Sequence, residues 1–172
     1  MALSCTLNKN LTKVDFCGYS LRSVSMIYLG NFSDTTVTLD TDGYTVKSAT
    51  GKWYQIEPAK ESASYNDDLV VGGNGSKYRT HTITFSFNGA YNAEMAEVVD
   101  ALSLGKFIAV LSLSDGTNIM LGRTSGLEAS TASSLSEAAA DGNQGLNVTL
   151  EANVAEAALV VSEEAMTTIK GA

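Results

Sequence analysis

The residues whose types and spacing suit known chemistry are few, and each belongs to an incomplete pattern. His81 is the only histidine. It lies in a strand-like run, and no serine motif or positioned acid completes the triad that a hydrolase needs. Asp40, Asp42 and Gly43 begin like a calcium loop, but the glycine comes too early and no bidentate acid closes the loop. We therefore interpret His81 as a structural or surface residue and the Asp-rich segment as a turn.

Two further segments contain residue types that are found in binding sites, one for phosphate and one for sugars. The glycine-rich run Gly72–Lys77 contains the residue types of a phosphate loop, but a phosphate loop lies between a strand and a helix, and here a strand follows. Trp53 and Tyr54 have the rings to stack on a sugar, although their spacing along a strand favours core packing. These patterns predict no enzyme activity, no cofactor and no metal site.

The two cysteines and the start of the chain limit other function classes. Cys5 and Cys17 have neither a redox nor a zinc spacing, so we interpret them as small apolar side chains, and a disulfide between them would require an oxidising compartment. Met1–Asn10 lacks the apolar core of a signal peptide. No run approaches the roughly 18 apolar residues of a membrane helix. We therefore expect no membrane partner.

Length and charge are typical of one acidic domain. The 172 residues suit a single domain over 1–172, in which we treat residues 153–172 as a C-terminal extension. The net charge is −8, and residues 126–172 contribute one basic and seven acidic side chains, or −6. This balance argues against a nucleic-acid-binding surface, which needs a basic patch. Either the acids form a solvated edge, or they belong to a surface that repels phosphate.

Short runs rich in Val, Ile, Thr and Tyr predict a mainly β fold. In the run Lys52–Glu57 we expect Tyr54 and Ile56 to face the core, and Ser133–Gly145 reads as a small-residue loop. The apolar run Phe107–Leu111 predicts a strand that is buried on both sides. The expected strands cover residues 23–29, 36–39, 44–47, 52–57, 78–87, 106–114, 118–121, 126–132 and 146–152, and residues 155–161 are expected to add an edge strand.

The clearest local signals are one long strand and the helix that follows it. Tyr78–Phe87 alternates apolar and polar residues with a period of two, which predicts one buried face. Asn92 is the expected N-cap of the helix and Gly105 its end. Met95, Val98, Val99 and Leu102 form an apolar stripe along it. Where these two periods meet, we expect a core of Ile83, Phe85, Phe87, Val98, Leu102, Ile108, Val110, Val148 and Leu150.

The excursion over residues 60–77 is the candidate assembly element. It is polar and glycine-rich, yet it contains aliphatic residues that would be unfavourable in water on a free loop. We expect a long protruding hairpin or loop that is mobile in an isolated subunit and ordered in the assembly. The candidate interface residues are Tyr65, Asn66, Asp67, Asp68, Leu69, Val70, Val71 and Lys77. A β domain with such an element and no chemistry is typical of a protein that assembles with copies of itself.

The order of elements supports a more specific hypothesis. The excursion ESASYNDDLVVGGNGSK, the strand YRTHTITFSF, the helix NAEMAEVVDALSLG and the segment KFIAVLSLSDGTNIMLGRTSGLEAS follow one another between about Glu57 and Gly126. This order resembles the tail tube proteins of long-tailed bacteriophages and of contractile injection systems. The part from Phe107 to Gly126 and the closing GLNVTLEA are also similar to small virion proteins of phages that infect Bacteroidetes.

The resemblance implies a fold, a location and a set of partners. It implies a β-sandwich with one packed helix. It also implies that six copies close a ring, and that the rings stack around a lumen through which DNA passes without specific binding. The implied location is the virion tail, assembled in the host cytoplasm with other virion tail proteins. Within the same class the alternatives are a neck or other ring protein, a tail terminator and a capsid decoration protein. In a different class the alternative is a carbohydrate-binding β-sandwich module.

Overall fold

Alternating apolar side chains of the strands pack into two hydrophobic clusters.

The computed structural model describes residues 9–11, 22–89, 91–136 and 144–171. The strands are β1 Val24–Asn31, β2 Thr36–Leu39, β3 Thr45–Thr50, β4 Trp53–Ile56, β5 Ser64–Val71, β6 Lys77–Phe87, β7 Lys106–Leu113, β8 Asn118–Leu121, β9 Leu127–Ser136, β10 Gln144–Val154 and β11 Leu159–Val161. The helices are α1 Ala93–Leu104 and α2 Glu163–Lys170. The fold is therefore mainly β, as the sequence predicts.

The strands form two sheets that are joined by a short junction. One hydrogen-bonded network has the order β2-β3-β11-β8-β7-β9-β10-β6-β5, and β1 pairs with both β7 and β4. Strand β7 pairs with β9 only through Lys106 and Phe107. We name β4-β1-β7-β8-β11-β3-β2 the long sheet and β9-β10-β6-β5 the short sheet.

The first hydrophobic cluster lies where the two sheets meet. Its members come from alternate positions of β1, β7 and β8 in the long sheet and of β6, β9 and β10 in the short sheet. This arrangement is that of a β-sandwich. The residues of the first cluster include Ile27, Leu29, Ile83, Phe85, Leu111, Leu121, Leu127, Leu146, Val148 and Leu150.

Strand β7 is buried on both faces, as its continuous apolar run predicts. Ala109 and Leu111 belong to the first cluster, and Ile108 and Val110 belong to the second cluster on the opposite face of the long sheet. Helix α2 packs against β3 and buries Ala165, Met166 and Ile169 in the second cluster. The sequence predicts one packed helix and at most a terminal helical turn after Ser162, so α2 extends that expectation.

Helix α1 begins and ends where the sequence predicts. The Asn92 side chain accepts a hydrogen bond from the Met95 N–H at 2.8 Å, and the Gly105 N–H donates to the Ala101 carbonyl at 2.8 Å. The prediction of a buried Val98 is wrong, because this side chain is 48% exposed. Of the stripe only Leu102 is buried, since α1 packs against β9 and the stripe residues Met95 and Val98 line an open groove. The other predicted core residues are buried, apart from Phe87, which is half-buried.

Strand β4 faces a hydrophobic cluster on each side, so the expectation is confirmed for Ile56, which packs against the first cluster, and is wrong for Tyr54. Trp53 is buried in the second cluster, whereas Tyr54 is exposed and Ile56 is half-buried. Trp53 pairs with Gly30 of β1, and the missing side chain of Gly30 leaves room for the indole ring. At the outer edge of the long sheet Tyr54 lacks a covering layer and contacts the Lys52 ammonium group instead, 5.2 Å from the ring centre.

The C-terminal segments are more integrated than the sequence suggests. Residues 153–172 do not form an extension, because β11 lies inside the long sheet between β3 and β8, and α2 is part of the core. Strand β11 is therefore not an edge strand. The expected loop 133–145 is partly strand, since β9 continues to Ser136 and β10 begins at Gln144. Residues 137–143 and both cysteines lie outside the described residues.

Candidate subunit interface

The excursion predicted as an assembly loop is the outer strand of a β-hairpin. Strand β5 runs antiparallel to β6, with Tyr65 opposite Ile83 and Val71 opposite Lys77. The Gly72 N–H donates to the Ser76 carbonyl at 2.8 Å and closes the turn between them. Of the two predicted alternatives, a hairpin or a loop, residues 64–71 form the hairpin. The sequence of these residues does not show the apolar alternation of a strand, because β5 lies at the edge of the sheet and few of its side chains are buried.

The candidate interface residues divide between the two faces of this hairpin. Tyr65, Asp67, Leu69 and Val71 lie on the side of β5 that continues the core-facing side of β6, as the register with Ile83 shows. Asn66, Asp68 and Val70 lie on the opposite side. Lys77 begins β6 at the end of the hairpin and is exposed. The structure thus separates residues that the sequence grouped as one interface.

Asp67 anchors the hairpin to the rest of the subunit. Its carboxylate accepts hydrogen bonds from Arg79 Nε at 2.5 Å and from the Ala158 N–H at 3.0 Å, and Arg79 Nη2 donates to its carbonyl at 3.1 Å. Partial burial raises the pKa of Asp67, but the hydrogen bonds from Arg79 and Ala158 and the nearby His81 and Arg79 charges lower it more. Its pKa therefore lies below the ordinary value, and Asp67 is an anionic internal anchor.

His81 is buried beside this anchor and is 1% exposed. Its Nδ1 accepts the Gly122 N–H at 3.2 Å, and its Nε2 lies 3.4 Å from Asp67 Oδ1. Gly122 has a φ of 76°, so a glycine is needed where this N–H turns toward the ring. Burial lowers the pKa of His81 and outweighs the opposing carboxylates of Asp67 and Glu156. The ring is therefore neutral near pH 7, and its burial rules out the surface alternative for His81.

The outward side of the short sheet is a polar surface, which we name the polar face. Its side chains pair across the strands. Thr80 donates to Asn153 Oδ1 at 2.9 Å, and the hydroxyl oxygens of Thr84 and Thr149 lie 3.3 Å apart. The strand register places the following described residues on this face: Ser64, Asn66, Asp68, Val70, Tyr78, Thr80, Thr82, Thr84, Ser86, Glu128, Thr131, Ser133, Asn147, Thr149, Glu151 and Asn153. The alternating threonines of β6 signal this surface in the sequence.

The charge of the polar face is negative. Asp68, Glu128 and Glu151 are exposed, and no lysine or arginine occupies a described position on the face. Lys106 reaches Glu128 from β7, with 2.7 Å between Nζ and Oε1. The surface therefore presents hydroxyl, amide and carboxylate groups.

Within the described chain, the short sheet ends on each side in a strand that lacks a further strand partner, and helix α1 packs against β9. In the part of the chain that the structure describes, β5 pairs only with β6, and residues 129–136 of β9 pair only with β10. Unpaired N–H and C=O groups along such edges are able to pair with another strand. The two edge strands therefore have backbone groups without a strand partner among the described residues.

The described residues contain no group of three or more His, Cys, Asp or Glu side chains that could hold a metal ion. Among the same residues, no helix is both long and apolar enough to cross a membrane. Among known proteins, no family model matches this chain, and no curated sequence matches it significantly. The physical features of the short sheet are therefore the main basis for a functional proposal.

Proposed function

We propose that this protein is a virion structural protein, a tail tube subunit that assembles into rings and conducts DNA. The proposal rests on the order of the sequence elements and on one structural observation. This observation is the short sheet, which combines an acidic polar face with two open edges. The proposed role is structural, without catalysis or a cofactor.

The open edges support lateral assembly. If β5 of one copy pairs with β9 of the next, the short sheets of successive copies join into one continuous sheet. A closed ring of this kind leaves no unpaired edge, which removes the unsatisfied backbone groups and the risk of uncontrolled pairing. The contact is head-to-tail, and such a contact produces a ring when the rotation between copies closes.

The polar face supports the role of a conduit. When the joined sheet curves with this face inward, Asp68 and Glu151 line the lumen. Carboxylates repel the phosphate backbone, and the scarcity of cations on the face removes the contacts that hold DNA nonspecifically. Hydroxyl and amide groups keep the wall hydrated. DNA would then pass through without being bound.

Electron microscopy of the purified protein under negative stain tests this proposal. Tubes with a central channel are expected. Closed rings that do not stack at any concentration would instead favour a neck or tail terminator protein. A protein that remains monomeric at high concentration would refute self-assembly altogether.

A pair of proline variants tests the edge of β9. Successive N–H groups of a strand point to opposite sides, so one of Ala132→Pro and Ser133→Pro removes an N–H on the open edge and the other removes a hydrogen bond to β10. The open-edge variant should fold and fail to form rings, and the other should lose stability. Normal rings from both variants would contradict the proposed pairing.

A charge reversal tests the lumen. Asp68→Lys combined with Glu151→Lys adds cations to the polar face without changing the core, since both side chains are exposed. Assemblies of this variant should retain DNA at low salt and release it as salt increases, whereas the natural assemblies should not retain it. A reversal of the exposed Glu163 and Glu164 on α2 is the matched control.

A further inference from the structure

The end of the β5–β6 hairpin is apolar and exposed, which is unusual for a surface turn. Leu69 and Val71 are each 58% exposed, and Tyr78 lies across from Val70 on the other side of the hairpin. Strand β10 stops pairing with β6 at Arg79, so the last two rows of the hairpin extend past it. We name residues 69–78 the hairpin tip. Lys77 is the only charged residue in the tip.

An apolar groove lies at the opposite end of the same strand. It runs between α1 and the last residues of β6 and has a volume of about 420 Å³. Its lining includes Ile56, Phe87, Met95 and Val98. Glu94 also lines the groove. Helix α1 carries three acids, at positions 94, 97 and 100, and no lysine or arginine.

The tip and the groove are complementary and cannot meet within one subunit. Strand β6 has its first residue, Lys77, in the tip and its last residue, Phe87, in the groove. The two ends are therefore about 33 Å apart at the usual rise of a strand. The tip offers aliphatic side chains with one positive charge, whereas the groove offers an apolar lining on an acidic helix. The groove volume lies within the range of pockets that bury a ligand, about 300–1,000 Å³.

We infer that the groove beside α1 receives the hairpin tip of a second copy of this chain. Leu69 and Val71 enter the apolar lining, and Lys77 lies near the acids of α1. A projection at one end and its receptor at the other give a contact that repeats without closing, which produces a stack. This inference rests on the proposed function, because it supplies the axial contact between rings whose lateral contact uses the edges of the short sheet.

Two variants and their mixture test this contact. Val71→Asp alters the tip and Val98→Glu alters the groove, and both side chains are already about half exposed, so neither change disturbs the core. Each variant alone should form rings that do not stack. When the two are mixed, the intact groove of one variant can receive the intact tip of the other. Pairs of rings should therefore form, but stacks of three or more rings should not, because the outer tip and the outer groove of each pair are both altered.

Matched controls and a charge exchange make the test specific. Leu104→Glu changes an 88% exposed residue on the same helix that does not line the groove, and its rings should stack normally. Lys77→Glu and Glu94→Lys should each raise the concentration required for stacking several-fold. The double variant that carries both Lys77→Glu and Glu94→Lys should stack at the natural concentration again, because the charges are exchanged rather than removed.

The outcomes separate this inference from the function on which it rests. Rings of Val71→Asp or Val98→Glu that stack like the natural protein would overturn the tip-to-groove contact and leave the tube proposal intact. A mixture of the two variants that remains as single rings would likewise overturn the tip-to-groove contact and leave the tube proposal intact. Natural protein that associates end to end without closed rings would overturn the tube proposal and support the contact. A protein that stays monomeric would overturn both.

Discussion

Removal of the Asp67 carboxylate is the most direct test of how the hairpin is held. Although Asp67 belongs to the predicted interface, its carboxylate binds Arg79 and the Ala158 N–H inside the subunit. The substitution Asp67→Ala should therefore destabilise the single subunit, and not only its assembly. Asp68→Ala is the matched control, because Asp68 is the next residue and points to the exposed polar face.

The expected cost follows from the contacts that are lost. Hydrogen bonds to charged groups are each worth about 1.5–3 kcal/mol, and a polar group left unsatisfied costs a further amount. The Asp67 side chain is 15% exposed and that of Arg79 is 33% exposed, so water replaces part of the lost interaction. We expect Asp67→Ala to lower the free energy of unfolding by about 2–3 kcal/mol. Asp68→Ala should change it by less than about 0.5 kcal/mol.

Urea unfolding of both variants under non-assembling conditions measures this difference, and a thermal melt checks it. For a chain of this length, about 2–3 kcal/mol corresponds to a decrease in Tm of roughly 4–12 °C. Equal stability of the two variants would refute the anchor. If Asp67→Ala abolished assembly without changing the stability of the subunit, Asp67 would instead act in the contact between subunits.

Three further predictions concern the core and the pH dependence. Phe85→Ala should cost about 3–5 kcal/mol in a urea titration because Phe85 is fully buried, whereas Val98→Ala should cost less than about 1 kcal/mol, and similar costs would refute the core assignment. Gly145→Ala should reduce expression of folded protein, since a Cβ there would lie 2.0 Å from the Phe87 carbonyl oxygen, and a normal melt would contradict this. The folded pKa of His81 is lowered, so the unfolded chain binds its proton more readily, and stability should fall as the pH decreases below the ordinary value of 6.5. His81→Gln should flatten that part of the stability profile, and an unchanged profile would assign the loss to other groups.

The elements that sequence reasoning locates correctly are those whose burial is local and one-sided. The alternation in β6 and the continuous apolar run in β7 each report how many faces of a strand are covered. Asn92 and Gly105 determine the ends of α1 through hydrogen bonds that span only three or four residues. Such signals need no knowledge of distant parts of the chain.

The errors occur where distant parts of the chain decide burial. Trp53 rather than Tyr54 faces the core because Gly30, on a partner strand, leaves room for the ring. Val98 is exposed because it lines an open groove, which helical periodicity cannot report. Strand β5 is polar and rich in turn-forming neighbours, and only its pairing with β6 makes it a strand.

By itself the sequence determined the mainly β class, the position of α1 and the absence of a complete catalytic motif, because each depends on residue types and spacings along the chain. Only the tertiary structure decided that Asp67 and His81 share a buried cluster with the Gly122 and Ala158 amides. It also decided that β11 lies between β3 and β8. Residues 67 and 158 are separated by 91 positions, and hydrogen bonds across such distances depend on which strands pair. Local periodicity carries no information on that choice.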